Sequence, residues 1–552
     1  MQQGEAMTYV ITQNCCKDGS CVPVCPVDCI RPVARPGEFT TSEMLYIDPV
    51  ACIDCGACLE ECPVDAIYAE EDLPPEFERF RDINAAYFER HPLNSDMPPT
   101  SAAHEPVTPG SLRVAIVGAG PAACYTASDL LRVDGVEVDL FERLPTPFGL
   151  IRAGVAPDHQ HTKSVVDIFD AAFANRDLRC HLNVEVGRDV SHDDLMAHHH
   201  AVIYAVGASR SRDLALPGQD RPGSHAAADF VAWYNGHPDH SRDTFDLSAQ
   251  RAVIIGNGNV ALDVARMLLL SHEELARTDI ADHALTALAD SNIREVVVLA
   301  RRSPRDAAFS VAEFHALGQL PGIDVIIDSD DLQSNPTEAV ETALKLDIAR
   351  AFAQREPSPD NKRIVFRFMV SPAEIVGDGQ VEGLRVVHNS FGPSGTLVSG
   401  DPDRDAELIE TSLILRSIGY TGMAIEGVPF DAGTGTVPNH GGQVLDGEGQ
   451  PVAGLYVTGW IKRGPRGVIG TNRTCAQETL AGLWADFDEG RLARDVNDRS
   501  ALDQALAQRG AKPIDWQGWR AINSAECKKG QDASRPRVKF VDVAAMVAVA
   551  NR

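Results

Sequence analysis

The sequence predicts an α/β protein in which two parallel-sheet domains follow a small α+β module, and three observations carry that reading. From Leu112 onward, short apolar strands alternate with helical runs, the pattern of parallel α/β folds. Two of those strands, RVAIVGAG and RAVIIGNG, run straight into glycines and then into a helix. Ahead of them a cysteine run is written twice, as Cys15-x2-Asp18-x2-Cys21-x3-Cys25-Pro26 and as Cys52-x2-Cys55-x2-Cys58-x3-Cys62-Pro63. The 552 residues leave room for about three or four domains of ordinary size.

The N-terminal module, residues 1–75, is an internal repeat, with CPVDCI at 25–30 echoed by CPVDAI at 62–67. Iron–sulfur chemistry needs soft thiolates on a short loop, and Gly56 permits the tight winding. In two-cluster ferredoxin runs of this spacing, the cysteine that precedes the proline ligates the other copy's cluster. That interleaving assigns Cys52, Cys55, Cys58 and Cys25 to one 4Fe-4S site, and Cys15, Cys21 and Cys62 to a second. Asp18 stands at the fourth position of the second site. A hard carboxylate is a poorer partner for cluster iron than a thiolate. The second site is therefore expected to hold either a 4Fe-4S cluster with an Asp18-bound labile iron or a 3Fe-4S cluster. Paired CxxC also suits tetrahedral zinc, but not at this spacing. Cys16 and Cys29 fall outside the ligand pattern and read as packing or spare thiols.

Composition narrows the partners. With 79 Asp+Glu against 50 Lys+Arg the net charge is −29, which argues against a nucleic acid. Residues 1–80 are the most acidic part, with 15 acids against 4 bases, either a solvated surface or a face suited to basic residues of a redox partner. Nine of the 13 cysteines precede residue 63, and the start MQQGEAMTYV has no apolar signal region. No run approaches the ~18–20 apolar residues of a membrane span. The expected setting is the cytoplasm, with no membrane partner. Residues 76–110 are rich in Pro and acid and read as a linker in which RDINAAYFER forms one helix. Residues 491–552 form a polar C-terminal extension with no assigned role.

In the first glycine turn, Gly118, Gly120 and Ala122 let the backbone approach a pyrophosphate seated on a helix N-terminus. Glu142 ends the next strand, where an acid binds ribose hydroxyls. The second turn is Gly256-x-Gly258-x-x-Ala261, and its next strand ends in Arg301-Arg302 instead. Arginines there match the 2′-phosphate of NADP. An acid in one Rossmann-like fold and arginines in the other imply FAD plus NADPH.

The stretches GAGPAACYTASDLL, FERLPTPFGLIRAGVAPDH, WYNG, GNGNVALDVARMLL, LARRSPRDAAF, SIGY and GWIKRGPRGVIGTN, in order over residues 111–485, resemble adrenodoxin reductase and its bacterial ferredoxin–NADP reductase relatives. Residues 8–72 resemble bacterial seven- or eight-iron ferredoxins, and the whole chain resembles the ferredoxin-fused bacterial reductases. The resemblance implies an FAD domain at 111–208 and 372–490, with an NADP domain inserted at 209–371. It implies flavin contacts at Ala122, Glu142, Leu150, Val186, Trp460 and the turn Gly467-Val468-Ile469. NADP contacts are implied at Asn257, Gly258, Asn259, Val260, Arg301, Arg302 and Glu313, with Gly467 near the nicotinamide. His159 and Asp263 are implied near the route from flavin to iron–sulfur partner. The implied activity is ferredoxin–NADP reduction: hydride from NADPH to FAD, then single electrons to the fused clusters. A redox protein, such as a monooxygenase or a separate ferredoxin, would receive them from a monomeric enzyme. A disulfide reductase is disfavoured, because the cysteines after residue 62 (Cys124, Cys180, Cys475 and Cys527) form no CxxC. A subunit like the small chain of glutamate synthase and a non-enzymatic iron–sulfur carrier are the remaining alternatives.

Overall fold

A computed structural model of the chain describes residues 8–33, 42, 44–93, 104–329, 331–335, 337–392 and 396–552. In the N-terminal module, Tyr9–Ile11 pairs antiparallel with Ile67–Ala69, and Ile30–Arg31 with Tyr46–Ile47. The Arg79–Arg90 helix closes this small core. Its Phe80, Ile83, Asn84, Tyr87 and Phe88 are buried, a helical stripe of one face. Asn84 Oδ1 accepts the backbone N–H groups of Ile11 (3.3 Å) and Ile47 (2.9 Å), and its Nδ2 donates to the Ile11 and Phe80 carbonyls at 2.8 Å. The expected linker therefore contains a helix that is part of the ferredoxin core, held by an amide that satisfies two strands at once. Residues 94–103 of that linker lie outside the described residues.

Behind the module stand two doubly wound sheets. The first orders its strands as Asn439–His440, Gln443–Leu445, Pro451–Val457, Ala201–Tyr204, Arg113–Val117, Glu137–Glu142 and Leu178–Leu182. Its last five run parallel, with Ala115 paired to both Asp139 and Val202. The second is wholly parallel, in the order Ser224–Ala226, Leu413–Arg416, Arg251–Ile255, Glu295–Leu299, Lys362–Arg367 and Ile323–Asp328. In each sheet the glycine turn leaves a central strand, the place where doubly wound sheets bind nucleotides.

Strand pairing moves one expected boundary. Leu413–Arg416 hydrogen-bonds within the second sheet, and the antiparallel strands Val370–Val376, Gly383–Phe391 and Glu407–Glu410 pack Ile375, Leu384 and Ile409 against its Val253 and Val297. A return to the first sheet at residue 372 is thus too early, because these aliphatic side chains are buried on the second sheet. The chain re-enters the first sheet at Asn439–His440.

The C-terminal extension is structured. Helices Arg499–Gln508, Trp516–Asp532 and Val543–Ala550 bury Leu502, Trp519, Ile522 and Met546 against the first sheet's domain. Glu526 is fully buried yet paired, 2.6 Å from Arg152 and 3.3 Å from Arg537. Lys539 and Lys163 both reach Asp279, at 3.1 and 2.6 Å, so the extension straps together the two nucleotide domains. Buried charges persist only when paired in this way.

Candidate active site

The first glycine turn builds a cradle walled by backbone. Gly118 has φ +103°, and a Cβ there would lie 2.7 Å from the Ala205 carbonyl oxygen. Its N–H donates to Phe141 at 2.7 Å. A Cβ on Gly149, next to Leu150, would meet Gly120 Cα at 2.9 Å, and one on Gly459, next to Trp460, would meet the Ala122 methyl at 2.7 Å. Residues 118–122, 149–150 and 459–460 thus converge where side chains would fill the space, which fits a bound dinucleotide. Leu150 is 44% exposed at this cleft. Glu142 sits at the strand end as expected, its two oxygens accepting the N–H groups of Ala119 and Leu144, each at 3.0 Å. Burial pushes its carboxyl up, against those hydrogen bonds. The Glu142 carbonyl accepts the N–H of Val184, which brings in the turn where Val186 bridges Val190. Gly467, Val468 and Ile469 precede the Thr471–Asp488 helix, and the Val468 N–H is capped by Thr471 Oγ1 at 3.1 Å.

The second turn repeats the geometry. Gly256 has φ +112°, its Cβ would lie 2.1 Å from the Ser417 carbonyl, and its N–H donates to Leu299 at 3.0 Å. Asn257 and Gly258 lead into the Asn259–Leu269 helix, with Val260 in its first turn. Asn259 Oδ1 accepts the Ser310 N–H at 2.7 Å, tying the turn to the Val311–Leu317 helix that carries Glu313. Arg301 and Arg302 follow the Glu295–Leu299 strand and are exposed, with Arg302 3.5 Å from Asp306.

Three residues named separately from sequence meet in one cluster. His159 Nε2 lies 3.9 Å from Glu313, and the ligating atoms of His159, Asp263 and Glu313 are all within 4.8 Å of one another. Arg266, 3% exposed, sits among them, 2.7 Å from Asp263, 2.9 Å from Asp158 and 3.8 Å from Glu313. Its guanidinium supplies the positive charge these acids need. Burial pushes Asp263 up to about 6, while Arg266 and His159 pull it down. The cluster joins the His159 segment to the helix after the second glycine turn.

Cysteines from both runs meet in the N-terminal module. Cys25, Cys52, Cys55 and Cys58 line one cavity. Cys29 lines it too, its Sγ 3.4 Å from that of Cys25, so this thiol lies at the site although it falls outside the ligand spacing. Backbone N–H groups point at sulfur: Cys29 to Cys25 at 3.4 Å, Ala66 to Cys62 at 3.2 Å and Leu45 to Cys15 at 3.5 Å. Burial pushes the Cys15 thiol up to about 11 and the Cys58 thiol up to about 12. Soft sulfur gathered on short loops, with backbone N–H groups aimed at it, is a donor set that fits iron–sulfur clusters.

Asp18 is buried and engaged. It accepts from the Ser20 hydroxyl and, at 3.3 Å, from the Ser20 N–H, and one oxygen lies 3.5 Å from Arg473 Nη1. Arg473 also donates to the Asp18 carbonyl at 3.0 Å and to Ser20 Oγ at 3.3 Å. Gly470 donates to the Cys16 carbonyl at 2.9 Å, and a Cβ there would lie 1.9 Å from the Lys17 carbonyl oxygen. Sequence reasoning missed Gly470 and Arg473. The available signal was a further glycine in GVIGTN, three residues beyond Gly467.

Comparison with known proteins agrees with this layout. Residues 112–303 match the family described as pyridine nucleotide-disulphide oxidoreductase, and residues 45–68 the 4Fe-4S binding domain. The probable ferredoxin/ferredoxin–NADP reductase of Mycobacterium tuberculosis is 47% identical over 567 aligned residues, covering 99% of this chain and 95% of the relative. The NADPH-ferredoxin reductase FprA of that organism is 43% identical over 79% of this chain and 98% of its own length. The solved structure of Mycobacterium tuberculosis FprA in complex with NADPH matches with a TM-score of 0.75 at 42% identity, over 80% of this chain and 100% of that one. With two glycine cradles, an acid in one and paired arginines beside the other, and a cysteine module docked against them, the chain belongs to the ferredoxin/ferredoxin–NADP reductase family.

Proposed function

We propose that this reductase takes its electrons from NADPH and delivers them singly, through two iron–sulfur sites of its own ferredoxin module, to a redox-protein acceptor. The observation that carries this reading is the joint between Gly470 and the Cys16 carbonyl, which puts a cysteine loop beside the turn 467–469. FAD, when bound, supplies hydride acceptance and the division of an electron pair into single electrons. The chain's own residues hold and orient. Gly118 supplies the tight turn and Gly120 the close backbone approach for the pyrophosphate, Glu142 takes ribose hydroxyls, and Ala122, Leu150, Val186, Trp460 and Gly467-Val468-Ile469 wall the flavin. Asn257, Gly258, Asn259 and Val260 cradle NADP, Arg301 and Arg302 pair with its 2′-phosphate, and Gly467 leaves room for the nicotinamide. Glu313, His159 and Asp263 are read as positioning residues that, with Arg266, keep the two domains at one angle.

Cys25, Cys52, Cys55 and Cys58 would hold a 4Fe-4S cluster. At the second site, the commitment of Asp18 to Ser20 and Arg473 favours a 3Fe-4S cluster on Cys15, Cys21 and Cys62. Domain limits that respect strand pairing put the ferredoxin module through Arg90, the FAD domain from Leu112 and again from Asn439, and the NADP domain between them. No helix among the described residues is long and apolar enough to cross a membrane, and we take the enzyme to act as a cytoplasmic monomer. The test is metal and flavin quantitation on anaerobically purified protein. Roughly one FAD and about seven irons per chain are expected; zinc, or flavin without iron, would refute the assignment.

A further inference from the structure

The two cysteine sites face different surroundings. Gly470 and Arg473, at the start of the Thr471–Asp488 helix, grip the backbone of Cys16 and Asp18. Cys16, Val64 and Ala66 share one buried apolar cluster with Ala119 and Ala122 of the first glycine turn, and Ile469, Cys15 and Cys62 pack against it. Ser164 Oγ adds a hydrogen bond to the Pro63 carbonyl at 2.9 Å. The site of Cys15, Asp18, Cys21 and Cys62 is thus built into the reductase. The other site looks outward: Cys55 is exposed, Ile53 on the cavity rim is 58% exposed and Val50 is 92% exposed. Asp54, Glu60 and Glu61 beside them are exposed acids.

We propose that the Asp18 site is the entrance of the ferredoxin module and the four-thiolate site its outlet, with Gly470 and Arg473 as the positioning residues that set this order. The proposal rests on the reading above that both sites hold clusters. With both sites loaded, electrons would pass singly from the site of Cys15, Cys21 and Cys62 to the site of Cys25, Cys52, Cys55 and Cys58, NADPH being the ultimate reductant and the external protein the oxidant. The interleaved thiols suit this order, because Cys25 of the first run belongs to the outer site and Cys62 of the second to the inner one. The Arg473 guanidinium beside Asp18 offsets the negative charge that the inner site gains on reduction. An acceptor then meets the surface around Ile53 and Cys55.

The test uses full-length holoenzyme carrying Cys21→Ser or Cys55→Ser, with each cluster signal followed by low-temperature EPR after NADPH and, separately, after dithionite. Loss of the inner site should leave the outer signal reducible by dithionite but not by NADPH. Loss of the outer site should leave the inner signal reducible by NADPH while transfer to an external redox protein is lost. NADPH reduction of the outer cluster at the normal rate in Cys21→Ser protein would overturn the order. If Cys21→Ser does not fold, Arg473→Gln decides: the midpoint potential of the inner signal should fall with the outer one fixed, and an unmoved inner potential overturns the proposal. Unsubstituted protein lacking two cluster signals would instead refute the cluster assignment itself.

Discussion

The two cysteine loops have nearly the same spelling and opposite surroundings. One keeps all its thiols and opens to solvent at Cys55, while the other has a carboxylate in place of a thiol where it is pressed on Gly470 and Arg473. Repetition in sequence encodes the ligand geometry; the neighbours decide what each copy does. The glycine turns form a second such pair. Gly118 and Gly256 share a left-handed backbone and the same hydrogen bond to the next strand, yet one fold continues to Glu142 and the other to Arg301 and Arg302. In the proposed reading the duplicated part binds the element common to both nucleotides, and the divergent part selects between them.

Replacing the divergent residues should break each comparison. The largest effect is expected at the arginine pair. Each hydrogen bond to a charged group contributes about 1.5–3 kcal/mol. Arg301→Ala with Arg302→Ala should therefore cut the kcat/KM preference for NADPH over NADH by roughly 100-fold or more. An intact preference would show that the 2′-phosphate is bound elsewhere. Next comes the joint: Gly470→Val forces a side chain onto the Lys17 carbonyl and should cost about 1–3 kcal/mol in thermal unfolding. Gly482→Ala, farther along the same helix with open space at its Cβ, should instead stabilise by about 0.5–1 kcal/mol. Equal behaviour of the two variants would deny that Gly470 is a contact point. The smallest change is spectroscopic. Asp18→Cys restores the first copy's missing thiol and should convert the inner cluster's EPR signature from the three-iron to the four-iron type, leaving the outer signal as it was. A change at the outer signal alone would misplace Asp18.

Much of this was legible in the sequence where backbone geometry is written locally. The glycine turns, the acid and arginines at the strand ends and the cysteine spacing each lie within a few residues or one βα unit. What sequence reasoning missed depends on remote contacts. Arg473 and Asp18 are 455 positions apart, and Glu526 looked like any acid in a polar extension until Arg152, 374 positions away, met it in the interior. The apolar stripe of the Arg79–Arg90 helix was readable as a helix, but its burial depended on Asn84 finding two strands. His159, Asp263 and Glu313 were each named without any sign that Arg266 would gather them.

The most direct measurement is an anaerobic titration of the intact protein with NADPH, following flavin absorbance and both cluster EPR signals in the same sample. Bleaching of the flavin together with reduction of protein-bound clusters, without any added ferredoxin, is the predicted result. A flavin that bleaches while fully loaded clusters stay oxidised, in the presence of a low-potential mediator that equilibrates them with dithionite, would contradict delivery of NADPH electrons to the fused module.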